Sequence, residues 1–138
     1  MSSGNSRSEG NAPSPLAFAR AWQEYRATAA RTPFPDSRLL LAARFWRAHA
    51  QALRAPAFKT YAQEDLPPLF ALIDKALPGD LFPDELEEVA AFLTEVASDQ
   101  GEPAGRARRV WEEAARCWFY VGEVERALRA LGWAGLLP

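Results

Sequence analysis

The side chains that could carry chemistry are few: one histidine, one cysteine, an acidic run and a row of arginines. His49 falls within the apolar set Leu41, Phe45 and Ala52, where a hydrogen-bonded core imidazole is the expectation. Cys117 lies beside Trp118 at the edge of another apolar face, so a small buried thiol is expected, and no Cys/His pairing is legible. The acidic residues Asp80, Asp84, Glu85, Glu87 and Glu88 could hold a hard cation such as Mg²⁺ or act as acid and base. A metal site on one helix needs ligands from a second, and the single histidine supplies no Glu-x-x-His partner. Favourable charge at a helix N-terminus explains the run more simply.

The arginines offer more. Arg44, Arg47, Gln51 and Arg54 share one face of a helix, roughly opposite its apolar face. Guanidinium groups at that spacing can follow a phosphate backbone, grip an acidic helix of a partner, or pair with acidic helices of the same chain. Arg106, Arg108 and Arg109 could assist a phosphate contact. There is no Gly-rich phosphate loop, no metal-spaced Cys/His set and no Gly-x-Ser-x-Gly elbow. The sequence therefore offers no catalytic, cofactor or metal residue.

These residues must be positioned by helices. Ser14-Pro15 is a start signal: a hydroxyl cap followed by a proline whose missing N–H costs nothing in the first turn. Phe18, Ala21, Trp22, Tyr25 and Ala29 follow at helical spacing, and Thr32-Pro33-Phe34-Pro35 breaks the pattern. Asp36-Ser37 is expected to cap a second helix running to about Arg54, flanked by Trp46 and Leu53 and ended by Ala55-Pro56. Phe58 to Gln63 reads as a helical turn. Asp65 then caps a short third helix with Pro67 and Pro68 in its first turn, closing near Leu77 before Pro78-Gly79.

Pro83 opens a fourth helix with Leu86, Val89, Ala90, Leu93 and Val96 inward, and Gly101 to Gly105 is the next break. The fifth places Trp111, Ala114, Ala115 and Trp118 inward, with Arg109, Glu112, Glu113 and Arg116 outward. Gly122 permits a sharp turn, and Glu123 to Leu131 makes the sixth, ended by Gly132 and Gly135. No segment shows the alternation of a strand. The expected fold is all-α: a compact bundle of about six helices in three antiparallel pairs, or a degenerate helical-repeat solenoid. Residues 1–13, polar and Gly/Ser-rich at their start, read as a disordered tail before a single domain, 14–138.

Trp111, Ala115, Trp118, Gly122, Ala127, Leu131, Ala134 and Pro138 follow the spacing of a tetratricopeptide repeat, and the stretch from Trp111 to Ala134 resembles one. The resemblance implies a tight helical hairpin whose small residues let the two backbones approach while aromatics fill the wedge beside them. The earlier helices do not repeat the motif. The segment Val121 to Leu131 also resembles a winged-helix recognition helix. That reading lacks the β-hairpin wing, and Glu123 and Glu125 would repel phosphate.

Charge is sharply segregated. Eight basic and two acidic residues lie between Arg20 and Lys59, whereas one basic and eleven acidic lie between Thr60 and Glu102. The remainder, from Pro103, carries six basic and four acidic residues. With a net charge of −2 overall, phosphate binding would have to be local. A single cysteine excludes an intrachain disulfide and fits a reducing cytoplasm. No apolar run suits a membrane span, and the N-terminus lacks the apolar centre of a signal peptide. The expectation is a non-catalytic protein-interaction module presenting helical faces to a protein partner. The alternative is a nucleic-acid-binding accessory protein using the arginine face. Self-association through the apolar end Leu136-Leu137-Pro138, or through complementary charged faces, is a further option.

Overall fold

A computed structural model describes residues 14–75, 81–99 and 106–136. Among them are seven α-helices: α1 (Pro15–Arg31), α2 (Pro35–Ala48), α3 (Ala50–Arg54), α4 (Lys59–Lys75), α5 (Pro83–Asp99), α6 (Arg106–Tyr120) and α7 (Val124–Trp133). A 3₁₀ turn, Pro56–Phe58, joins α3 to α4, and no described residue is in a strand. The all-α bundle expected from periodicity is what forms. The expected tail, the end of the third helix at Leu77 to Gly79, Asp80, the Gly101–Gly105 break, Leu137 and Pro138 all lie outside the described residues.

Local sequence explains most boundaries. The Ser14 hydroxyl accepts the Ala17 N–H at 3.1 Å, with Pro15 in the first turn of α1. At the start of α5, the Phe82 N–H donates to the Glu85 carboxylate at 3.0 Å, so part of the acidic run caps its own helix. Gly122, with φ at +82°, turns the chain between α6 and α7 in the left-handed region where a side chain is strained. After α7 it is Gly135, at φ +77°, that reverses the chain; the Leu136 N–H closes on the Leu131 carbonyl, and Gly132 remains helical.

Three expectations are corrected. The second helix does not run unbroken to Arg54: it ends at Ala48, and His49 leaves helical geometry (φ −115°, ψ 26°) before α3 begins. Its N-cap is Phe34, with Asp36 inside the first turn. Asp65 caps no helix: α4 starts at Lys59, directly after the 3₁₀ turn, and carries Asp65, Pro67 and Pro68 in its interior. The prolines remove two N–H donors from the ladder, yet the helix persists because burial of Asp65, Leu69 and Ile73 holds it on the bundle.

α5 is the central element. It packs against α6 on one side and α2 on the other, while α7 adds to α6, and α4 bridges α2, α3 and α6. The neighbours are therefore shared across the chain instead of confined to sequential pairs. Val89, Ala90, Phe92, Leu93 and Ala97 of α5 are fully enclosed, with Phe18, Leu39, Ile73 and Val110 completing the core. An aromatic cluster fills the space between α1, α2 and α4. Phe18 meets Phe45, His49, Phe58 and Tyr61, and Tyr25 stacks on Phe45 with centroids 4.2 Å apart. Trp111 and Trp118 are buried and Trp22 and Trp46 half-buried against the core.

Candidate functional site

The arginine row faces its own chain. Arg44 makes a bidentate pair with Glu88 of α5, both N–O distances being 3.0 Å. Arg47 lies 3.7 Å from Glu95 and Arg54 3.5 Å from Asp99. Rising residue number on α2 and α3 is matched by rising number on α5, so the elements run parallel and the charges form a ladder along their seam. Each pair is substantially exposed. The hydrogen bond from Arg44 lowers the pKa of Glu88, and the same bond raises that of Arg44. Gln51 is exposed on α3.

Arg109 bridges Asp74 of α4 at 3.0 Å and Glu113, one turn along α6, at 2.8 Å. Arg106 is the first residue of α6. Arg108 donates to the Ala134 carbonyl at 2.9 Å and ties the end of α7 to α6. Of the seven residues singled out for partner or nucleic-acid contact, four, Arg44, Arg47, Arg54 and Arg109, are thus engaged with carboxylates of the same molecule.

A second polar centre was not legible in advance. Asp65, only 2% exposed, accepts hydrogen bonds from the Tyr25 hydroxyl (2.8 Å), the Trp46 indole (2.7 Å) and Arg26 (2.7 Å). One carboxylate thereby joins α1, α2 and α4, and each contact is to a charged acceptor. Burial, then the neighbouring Asp65 charge, raises the Tyr25 pKa and keeps the phenol protonated. The node satisfies the Tyr25 and Trp46 donors internally, and Tyr25, Arg26 and Asp65 border a small cavity of about 210 Å³.

Glu113 was expected on the outer face of α6 and is instead 2% exposed. Its Oε2 lies near Arg109 and Arg116 without an aligned hydrogen bond, and burial raises its pKa against the pull of both arginines. Cys117, a turn further, is enclosed; burial and then the Glu113 charge push its thiol up to about 12, far from a nucleophilic thiolate. His49 packs edge-on to Phe18 and against Phe45, and burial lowers its pKa. Among the described residues no group of three or more His, Cys, Asp or Glu is arranged to hold a metal ion. None of the described helices is long and apolar enough to cross a membrane.

A cavity of about 600 Å³ lies between α2, α3, α4 and α5, and Leu16, Phe34 and Phe82 are exposed elsewhere, but exposed large apolar side chains are most numerous on the C-terminal hairpin. Phe119 and Tyr120 at the end of α6 are 46% and 61% exposed, and Val124 and Leu128 of α7 are 52% and 44% exposed. Phe119 and Tyr120 line a groove of about 390 Å³ with Ala115, Leu131, Glu112 and Arg116. A sequence signal for this face existed: Trp118-Phe119-Tyr120 are consecutive, and one helix face cannot bury three neighbours. The hairpin itself closes on small residues, with Ala114, Ala115, Ala127, Ala130 and Ala134 all buried. On the other side of Trp118 lies a separate groove of about 430 Å³ lined by Trp111, Trp118 and Trp133 with Arg126 and Arg129. No family model matches the chain, and comparison with curated proteins and with solved structures gives no match.

Proposed function

We propose that this chain is a non-catalytic protein-interaction module that presents the outer face of its α6–α7 hairpin to a protein partner. The observation that carries this reading is the exposed set Phe119, Tyr120, Val124 and Leu128, gathered on one hairpin, whereas the exposed Leu16, Phe34 and Phe82 stand on three separate segments of the chain. Aromatic side chains at a turn give large contact area with little conformational entropy to lose, which suits a binding anchor. The groove beside them has an apolar floor and one charge of each sign, Glu112 and Arg116, at its rim. An amphipathic helix of a partner fits such a surface, its apolar side chains seated in the groove and its polar ones orienting against the rim. The likeness of Trp111 to Ala134 to a tetratricopeptide repeat, a unit that works by displaying helical faces, points the same way.

The arginine row contributes to orientation and partner choice only through what its internal pairs leave exposed. Phosphate binding there requires Arg44, Arg47 and Arg54 to leave Glu88, Glu95 and Asp99, whose carboxylates would repel the incoming polyanion. A protein with one buried thiol and no disulfide functions without difficulty in a reducing cytoplasm.

Affinity capture from native extract tests the reading, with nuclease-treated and untreated samples run in parallel. A Phe119→Asp, Leu128→Asp variant is expected to lose a protein captured by the parent chain, while Arg44→Glu, Arg47→Glu retains it and nuclease changes nothing. Capture that survives the hairpin variant but fails after nuclease overturns the proposal. Capture of the chain's own second copy identifies the partner as itself.

A further inference from the structure

The groove between α5 and the α6–α7 hairpin combines an aromatic wall, unused positive charge and an unfilled buried donor. Trp111, Trp118 and Trp133 supply three indole surfaces, and Trp111 and Trp133 stack with centroids 6.1 Å apart at 20°. Ala91, Thr94 and Ser98 of α5 form part of the opposite wall. The polar atoms of these residues differ in one respect. The Trp118 N–H donates to the Thr94 hydroxyl at 3.0 Å, which donates onward to the Ala90 carbonyl, and the Ser98 hydroxyl donates to the Thr94 carbonyl. The Trp111 N–H, on a side chain 5% exposed, has no acceptor. A buried indole N–H without a partner is costly to keep, and this one is enclosed beneath the groove's surface.

Charge selects the ligand's sign. Arg126 lies 4.8 Å over the Trp118 ring, and its nearest carboxylate, Glu123, is 3.9 Å away. Arg129 has no ion-pair partner among the described residues. The acid lining the groove, Glu95, is already opposed by Arg47. The lining of the groove therefore carries two positive charges, Arg126 and Arg129, against one negative, Glu95. A volume of about 430 Å³ is that of one small molecule, not of a folded segment.

We infer that this groove binds a small planar aromatic molecule bearing a carboxylate: the ring lies on the indoles, and the carboxylate meets Arg129 and Arg126. Stacking on electron-rich rings and a charge-assisted contact act together, and neither half alone accounts for the three tryptophans and the two arginines. The groove shares none of its lining with the exposed face Phe119, Tyr120, Val124 and Leu128. A failure here leaves the protein-interaction reading as it stands.

The five indole N–H resonances of the ¹⁵N-labelled full chain read the site directly. 2-Naphthoate is the probe, with 2-naphthylmethanol as the uncharged ring and acetate as the charge without a ring. The expected result is saturable movement of the Trp111, Trp118 and Trp133 signals by 2-naphthoate, with Trp22 and Trp46 unmoved. The alcohol is expected to bind about tenfold more weakly, and acetate not at all, on the scale of one charged hydrogen bond. Arg129→Gln, a change at an exposed side chain without a partner, should reproduce the same tenfold loss toward 2-naphthoate while leaving the rest of the spectrum in place. Equal affinity for acid and alcohol, no saturation at millimolar 2-naphthoate, or movement centred on Trp22 and Trp46 each overturns the inference.

Discussion

At the scale of single residues, Arg44, Arg47, Arg54 and Arg109 are engaged with carboxylates of the same chain, and the most consequential polar residue, Asp65, reads in the sequence as no more than a helix cap. Nothing local distinguishes Asp65 from a helix cap, because its three donors come from residues 19 to 40 positions away. Asp65→Ala leaves the Tyr25 hydroxyl and Trp46 indole buried without an acceptor and is expected to cost about 3 kcal/mol in urea unfolding. A change of a few tenths would show that the node contributes little. His49 is half-buried against Phe18 and Phe45, and its ring makes aromatic contacts in place of the expected hydrogen bond. Burial holds its pKa below the ordinary 6.5, so the unfolded chain takes up the proton first. Its contribution to stability is therefore intact above about pH 6.5 and is lost as the pH falls from there toward the lowered folded value. Thermal melts of His49→Phe between about pH 7.5 and pH 5.5 should lack that part of the slope, and an unchanged slope would place its origin elsewhere.

At the scale of elements, periodicity placed α1, α5, α6 and α7 well because each has one apolar stripe bounded by Pro, Ser or Gly. It misjudged the middle of the chain. α2 is buried on more than one side, so Leu39, Ala42 and Ala43 join the core beside Phe45, and a single-stripe reading misses them. In α4 the prolines look like the first turn of a helix, and tertiary burial overrides that signal. The burial of Glu113 is likewise invisible in one sequence, since it depends on α4 bringing Asp74 and its neighbours alongside α6. The parallel seam of α2, α3 and α5 carries the ion-pair ladder. A double-mutant cycle on Arg44→Ala and Glu88→Ala should give a coupling of about 1 kcal/mol for this bidentate pair, reduced by salt. The longer, exposed contacts of Arg47 and Arg54 should give values near zero by the same measurement.

At the scale of the whole molecule, segregated charge is resolved internally. The basic first part of the chain and the acidic middle part meet along one seam, so much of the arginine row is complemented before any partner arrives. Segregation was legible in the sequence; its resolution was not, because charge along a chain does not say which helices become neighbours. The proposed interaction surface is the C-terminal hairpin, with Phe119, Tyr120, Val124 and Leu128 exposed and a separate tryptophan groove against α5. Hydroxyl-radical footprinting of the captured complex tests the central claim most directly, since Phe119 and Tyr120 are exposed aromatic side chains that oxidise readily when uncovered. Protection of Phe119, Tyr120 and Leu128 on binding, with the α2–α3 arginine face unchanged, is the predicted result; protection of the segment from Arg44 to Arg54 with Phe119 and Tyr120 still oxidised would contradict it.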